Sequence, residues 1–370
     1  MRVLVVIGTR PEAIKMMPLI LELKKYGAIE TLVCHSGQHR ELARSVFDFF
    51  GVTPDFSFSA MREGQSLCEL SARLLNYFDA LIGEISPSLV LVHGDTTTAY
   101  CAALAAFYRG VDVAHIEAGL RTHNIGSPHP EEFNRVSVDA VSRYCFAPTE
   151  LAAQNLTSEG KSLVFTVGNT VIDTFKYTLR EDYTSPLTEA AKGRKILLVT
   201  SHRRENIGAR MESALLGLRD ILSEREDLFA ILPTHPNPAV RSVVNRLLRD
   251  IKNIKICDPL PLYDFHNTLA SSFAVMSDSG GVQEEAAYLG VPLFLLRDTT
   301  ERPECIAGGN LVMLGTDRSR VREVFLSITS DESLLGRMKN RSLAFGDGHA
   351  SEKIVQKLLS FTKNDAIMDL

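Results

Sequence analysis

The chain has 370 residues, 45% hydrophobic and 23% charged, with a formal net charge of -5. That length suits two domains, each able to bury its own core. Slight acidity gives no global basic field, so nucleic acid and anionic membranes are not expected partners, and any anionic ligand must be met by local cations or backbone N–H groups.

In chain order, residues 1–8 are apolar but lead at once into a polar turn, and no uninterrupted apolar run nears the roughly 18 residues of a membrane span. A soluble cytoplasmic protein is expected. Short apolar runs alternate with amphipathic stretches, the pattern of parallel sheets with crossover helices, so the fold class is α/β. Strands are predicted at 3–7, 31–35, 89–93, 111–116, 144–147 and 163–167, then at 195–200, 229–232, 254–256, 273–276, 293–295 and 311–314. Pro11 opens one helix, 67–85 repeats apolar residues at helical spacing, and 150–159 forms another. The segment 180–194 is polar and rich in turn residues. The six cysteines, Cys34, Cys68, Cys101, Cys145, Cys257 and Cys305, include no C-x-x-C pair, which predicts reduced, mostly buried thiols.

The halves echo one another. Each opens with a strand and a basic turn, at Arg10 and at His202-Arg203-Arg204, and each later has a strand followed by an aspartate and small residues, at Gly94-Asp95-Thr96 and Ser277-Asp278-Ser279-Gly280. Two doubly wound domains with strand ends facing a shared cleft are expected, with a substrate between them.

The stretch Ser277-Asp278-Ser279-Gly280-Gly281-Val282-Gln283-Glu284-Glu285 reads as a strand entering a helix through a glycine-rich turn. Glycine lets the backbone approach a ligand, and the first turn aims unpaired N–H groups at an anion, most often phosphate. Glu284 and Glu285 also serve the helix dipole there. There is no G-x-G-x-x-G or Walker sequence on a strand, and no Asp-x-Asp to hold a metal. Phosphate would then be neutralised by backbone and by Arg10, Lys15, Arg203, Arg204 or Arg302. Asp95, Glu117, Glu131 and Glu132 each follow an apolar strand or begin a helix, and capping competes as the role of Glu131. Several carboxylates in one cleft should resist joint ionisation, so that one pKa rises and a single residue type supplies acid and base.

Taken together, Gly8-Thr9-Arg10-Pro11-Glu12-Ala13-Ile14-Lys15, Val92-His93-Gly94-Asp95-Thr96-Thr97, His115-Ile116-Glu117-Ala118-Gly119-Leu120-Arg121, Pro130-Glu131-Glu132, Gly168-Asn169-Thr170-Val171-Ile172-Asp173, the Ser277 to Glu285 stretch and the charged run from Arg297 to Glu304 resemble the bacterial non-hydrolysing UDP-N-acetylglucosamine 2-epimerases. The resemblance runs nearly end to end. It implies the glycosyltransferase-B architecture: a Rossmann-like domain at 1–168, a UDP-binding one at 169–348, and a helix at 349–370 returning to the first. It also implies Ser279, Gly280 and Gly281 at the diphosphate with Arg10 and His202 nearby, Glu285 on the ribose, Phe265 on the uracil, and Lys15 and Arg302 as further ligand contacts. Asp95, Glu117, Glu131 and His202 are the implied catalytic groups, their division into acid and base open. Gln38, His39, Arg40 and Gln65 resemble a site where relatives bind a second UDP-N-acetylglucosamine as activator. The sequence departs from the pattern at His129, Leu260 and Ser201.

The implied reaction needs no cofactor: UDP leaves C1 as the C2 proton is removed, giving 2-acetamidoglucal, and re-addition yields UDP-N-acetylmannosamine for bacterial cell-surface polysaccharide. A homodimer is implied. A retaining glycosyltransferase would share the nucleotide site but has no evident use for three carboxylates together. A hydrolysing epimerase would release UDP and free sugar, and an inactive sensor would be expected to have lost the carboxylates.

Overall fold

A computed structural model describes residues 1–38, 40–201 and 208–368, apart from the side chains of 40–42 and 362–368. The chain forms two compact units, Met1–Thr174 with Phe345–Leu370, and Phe175–Ala344. Residues 169–174 and 345–348 thus go with the first unit, a few positions off the expected limits. The physical reason is local: Asn169 N–H donates to Phe345 O at 2.7 Å, and Asp173 accepts the N–H groups of Ala350 and Ser351 at 3.1 and 2.7 Å, capping the last helix.

In the first unit β1 (Arg2–Ile7), β2 (Glu30–His35), β3 (Phe56–Ser57), β4 (Leu89–His93), β5 (Asp112–Ile116), β6 (Tyr144–Ala147) and β7 (Val164–Thr166) form one parallel sheet, ordered β3-β2-β1-β4-β5-β6-β7. The central strands are buried on both faces, which is why they read as unbroken apolar runs. Alternate residues divide between two cores. Val3, Val5 and Ile7 pack with Met16, Met17 and Ile20 of the helix Arg10–Leu23 and with Ile354, Val355 and Leu358 of the helix Ala350–Met368. Leu4 and Val6 pack with Leu74 and Phe78 of the helix Leu67–Ile85 and with the alanine-rich helix Thr97–Tyr108. Ser66 and Glu69 close a reciprocal cap at the start of Leu67–Ile85, fixing the boundary that periodicity predicts.

The second unit repeats the plan with β8 (Lys195–Thr200), β9 (Leu228–Pro233), β10 (Ile254–Cys257), β11 (Ala274–Ser277), β12 (Leu293–Leu295) and β13 (Leu311–Met313), all parallel, ordered β10-β9-β8-β11-β12-β13. Its core joins Leu197, Val199, Ala230 and Met276 to Leu215, Leu218 and Phe325. In each sheet the order reverses once beside the first strand, between β1 and β4 and between β8 and β11. Ligands of open α/β sheets bind outside the strand ends at such a reversal. The six cysteines are all free, and four are buried. No described helix is long and apolar enough to cross a membrane.

Candidate active site

The first unit gathers its charged groups where β1, β4 and β5 end. β4 leads through Gly94, at φ 62°, to Asp95, and β5 leads directly to Glu117, at φ 66°. A non-glycine residue there is strained, and such strain persists where the surroundings over-determine it. At Glu117 they do. Its Oε2 is paired with Lys15 Nζ, accepts Asn169 Nδ2–H at 2.8 Å, and lies 3.4 Å from His93 Nε2. Burial holds the His93 ring below the usual histidine pKa, against the pull of Glu117.

Asp95 Oδ2 accepts Arg135 Nε–H at 3.0 Å and a second bond from the same guanidinium, while Asn134 Nδ2–H donates to the Asp95 carbonyl at 2.9 Å. Arg135 also meets Glu132 at 3.1 Å, and Glu132 accepts the N–H groups of Thr122 and His123. Glu131 begins the helix Glu131–Val141, one turn before Arg135, half-buried. Asp95 and Glu117 each face a cation, Arg135 and Lys15 respectively. Burial raises the Glu12 carboxyl, pushed up to about 7 although it accepts N–H from Gly8 and Thr9 and O–H from Thr96.

The helix after β1 begins at Arg10, one residue before the Pro11 expected to open it, and Lys15 lies buried one turn on. Gln38 accepts from Thr98 Oγ1 at 2.8 Å, beside the β4 exit, whereas Gln65 is held by Arg73 ahead of the helix Leu67–Ile85. His39, His202, Arg203 and Arg204, and the side chain of Arg40, lie outside the described residues.

In the second unit β11 ends at Ser277, and Ser279 precedes the helix Gly280–Leu289 without capping it through its hydroxyl. The two glycines differ. A Cβ on Gly280 would come 2.9 Å from Arg302 Nη1, while one on Gly281 would meet nothing within 4 Å. Gly280 therefore makes room for Arg302, and only Gly281 leaves the open approach that the sequence suggests for both. Arg302 is paired with Glu284 and reaches Glu301 at 2.6 Å, and Glu301 meets Arg297 at 3.0 Å, so the charged run after β12 braces the turn from within. Glu285 is buried 3.5 Å from His266 Nε2, and His266 Nδ1 meets Thr178 Oγ1 at 2.8 Å. Phe265 adjoins His266 on the helix Leu262–Ala270 and is half-buried. Among the described residues no group of three or more His, Cys, Asp or Glu is placed to hold a metal ion.

Sequence reasoning gave no role to Asn169, Arg135, Glu12 or His266. Glu12 and Arg135 carried a signal, each being a charge at helical spacing from a candidate residue.

Two sheets of this order, each with its polar residues at the strand reversal, define an α/β protein of two Rossmann-like domains, the glycosyltransferase-B type found in its structural neighbours. Residues 21–359 match the family described as UDP-N-acetylglucosamine 2-epimerase. The chain is 44% identical over 361 residues to the UDP-N-acetylglucosamine 2-epimerase of Bacillus subtilis, covering 97% of this chain and 95% of the relative. A crystal structure of the Neisseria meningitidis UDP-GlcNAc 2-epimerase bound to UDP-GlcNAc matches with a TM-score of 0.93 at 39% identity, covering 97% of this chain and all of that one. The S. aureus MnaA–UDP co-structure matches at 0.92 and 38%, covering 98% and 97%. The chain belongs to the UDP-N-acetylglucosamine 2-epimerase family and is an enzyme of the isomerase class.

Proposed function

We propose that this enzyme interconverts UDP-N-acetylglucosamine and UDP-N-acetylmannosamine by eliminating UDP across C1 and C2 and adding it back. The C2–H bond breaks, its electron pair forms the C1=C2 bond of 2-acetamidoglucal, and the C1–O pair leaves with UDP. Return delivers a proton to the other face of C2 and re-forms the C1–O bond. The route is redox-neutral and calls for no cofactor.

The observation that carries this proposal is the placement of Asp95 and Glu117 on adjacent strand exits, each paired with a cation, since a carboxylate held there can accept the C2 proton. Asp95, Glu117, Glu131 and His202 are the proposed proton carriers, contributing about 10² to 10⁴-fold. Ser279, Gly280 and Gly281, with Arg10, are proposed to hold the diphosphate, Glu285 the ribose and Phe265 the uracil, with Lys15 and Arg302 as further contacts. Support comes from the open approach at Gly281 and the Ser279 hydroxyl, which does not cap the helix it precedes. On the same proposal a second UDP-N-acetylglucosamine activates the enzyme through Gln38, His39, Arg40 and Gln65. The enzyme would work as a cytoplasmic homodimer supplying cell-surface polysaccharide.

Turnover of UDP-N-acetylglucosamine in D₂O should place deuterium at C2 of the epimer. An oxygen label in the C1–O bridge should scramble into the non-bridging β-phosphate positions. Epimer formed without solvent deuterium would overturn the elimination route, and accumulation of UDP with free sugar would replace epimerisation by hydrolysis.

A further inference from the structure

A histidine in the middle of a parallel sheet must have both ring nitrogens satisfied, and His115 stands in β5 between Val92 of β4 and Cys145 of β6 with no solvent exposure. Its Nε2 lies 2.8 Å from the carbonyl oxygen of Gly94. A carbonyl only accepts, so Nε2 carries a proton. Its Nδ1 lies 2.6 Å from Asp139 Oδ1. The other oxygen of Asp139 meets Arg121 Nη1 at 2.7 Å and accepts the Gly119 N–H at 3.2 Å. A buried carboxyl with that many donors is an ionised acceptor, and Nδ1 must then be protonated too. Although burial alone would raise it, the charges of His115 and Arg121 bring the Asp139 carboxyl below its usual pKa. Arg121 forks onto Glu159 at 2.8 and 2.6 Å, so two cations and two anions close the cluster.

We infer that His115 and Asp139 form a buried imidazolium–carboxylate pair that positions Asp95 and Glu117. The geometry ties the pair to both. Gly94 donates its N–H to Ile116 O at 2.9 Å and gives its carbonyl to His115, so the residue before Asp95 is fixed to the two residues before Glu117. Asp139 holds Gly119, two residues after Glu117. The strained Glu117 backbone is thus clamped from either side, while His115 touches neither carboxylate by any hydrogen bond in the described structure. Besides Asp139 and Arg121, the titratable groups facing the pair among the described residues include His93 from β4, Cys145 from β6, Glu159 from the end of the helix Glu150–Ser158, and Lys161 beside Cys145.

The kinetic part of this inference rests on the proposed epimerase reaction, and the protonation part does not. In the wild-type protein with ¹⁵N-labelled histidine, the His115 ring should show both nitrogens protonated at pH 7, because each faces an acceptor. The signal is assigned by its loss in His115→Gln. A pyridine-type nitrogen at His115 at that pH would overturn the inference, and that spectrum decides even if the protein proves not to epimerise the substrate. In turnover, Asp139→Asn should lower kcat by about 10²-fold with KM changed less than about threefold, the signature of misplaced reacting groups over an intact binding site. An unchanged kcat, or a loss confined to KM, would remove the positioning role.

Discussion

Glu12 shows how a single residue near this site couples it to pH. An unfolded glutamate titrates near 4.5, and burial raises the folded value to about 7, so between those limits the folded state holds a proton that the unfolded state lacks. The stability tied to that proton is complete below 4.5 and is lost as pH rises through 7, on the order of 3 kcal/mol in all. Glutamine keeps the shape, accepting from Gly8 and Thr9 and donating to Thr96. Glu12→Gln should therefore melt with the wild type at pH 4.5 and above it at pH 8. An equal offset at both values in thermal unfolding would sink the assignment. The same position marks how far the site was legible. Asp95 and Glu117 stand out in sequence because each polar residue ends an apolar run. Their partners do not, since Lys15 is 102 positions from Glu117 and Arg135 is 40 from Asp95, separations that only the strand order brings together. His115 was hidden for a different reason: one polar residue inside an apolar strand looks like an interruption until its two acceptors are known.

At the scale of elements, the helix Gly280–Leu289 separates two jobs of its paired glycines. Gly281→Ala should leave the melting temperature unchanged and weaken UDP binding about tenfold or more in calorimetry, because its added methyl meets only the open approach. Gly280→Ala should instead cost about 1–3 kcal/mol of stability, since Arg302 is anchored by Glu284 and Glu301 and cannot easily withdraw. Wild-type UDP affinity in Gly281→Ala would return the turn to a purely structural role. The strands themselves were readable from sequence to within about a residue at each end, because double burial demands unbroken apolar runs. β3 escaped: its two residues pair only with Cys34 and His35 at the sheet edge, too short a run for any period to register. The paired glycines looked equivalent for a similar reason, as only packing against Arg302 tells them apart.

The first unit is discontinuous in sequence, since Ile354, Val355 and Leu358 of the last helix help to close its core. Ile354, Val355 and Leu358 are at most 1% exposed, and each contributes about 1.5–3 kcal/mol by burial. A chain ending at Ala344 should be insoluble or bind the dye ANS strongly, whereas a soluble product with one cooperative melt would show the last helix to be dispensable. That discontinuity also sets an order of events on the ribosome. The second unit is one uninterrupted segment and can fold as soon as it emerges, but the first is left with a bare apolar groove along the helix Arg10–Leu23 while some 170 further residues are made. At about 5–20 residues per second that wait is roughly 10 to 35 s, long on the scale of aggregation, so the nascent first unit is a natural client for a chaperone until the chain's own last helix arrives to fill the groove.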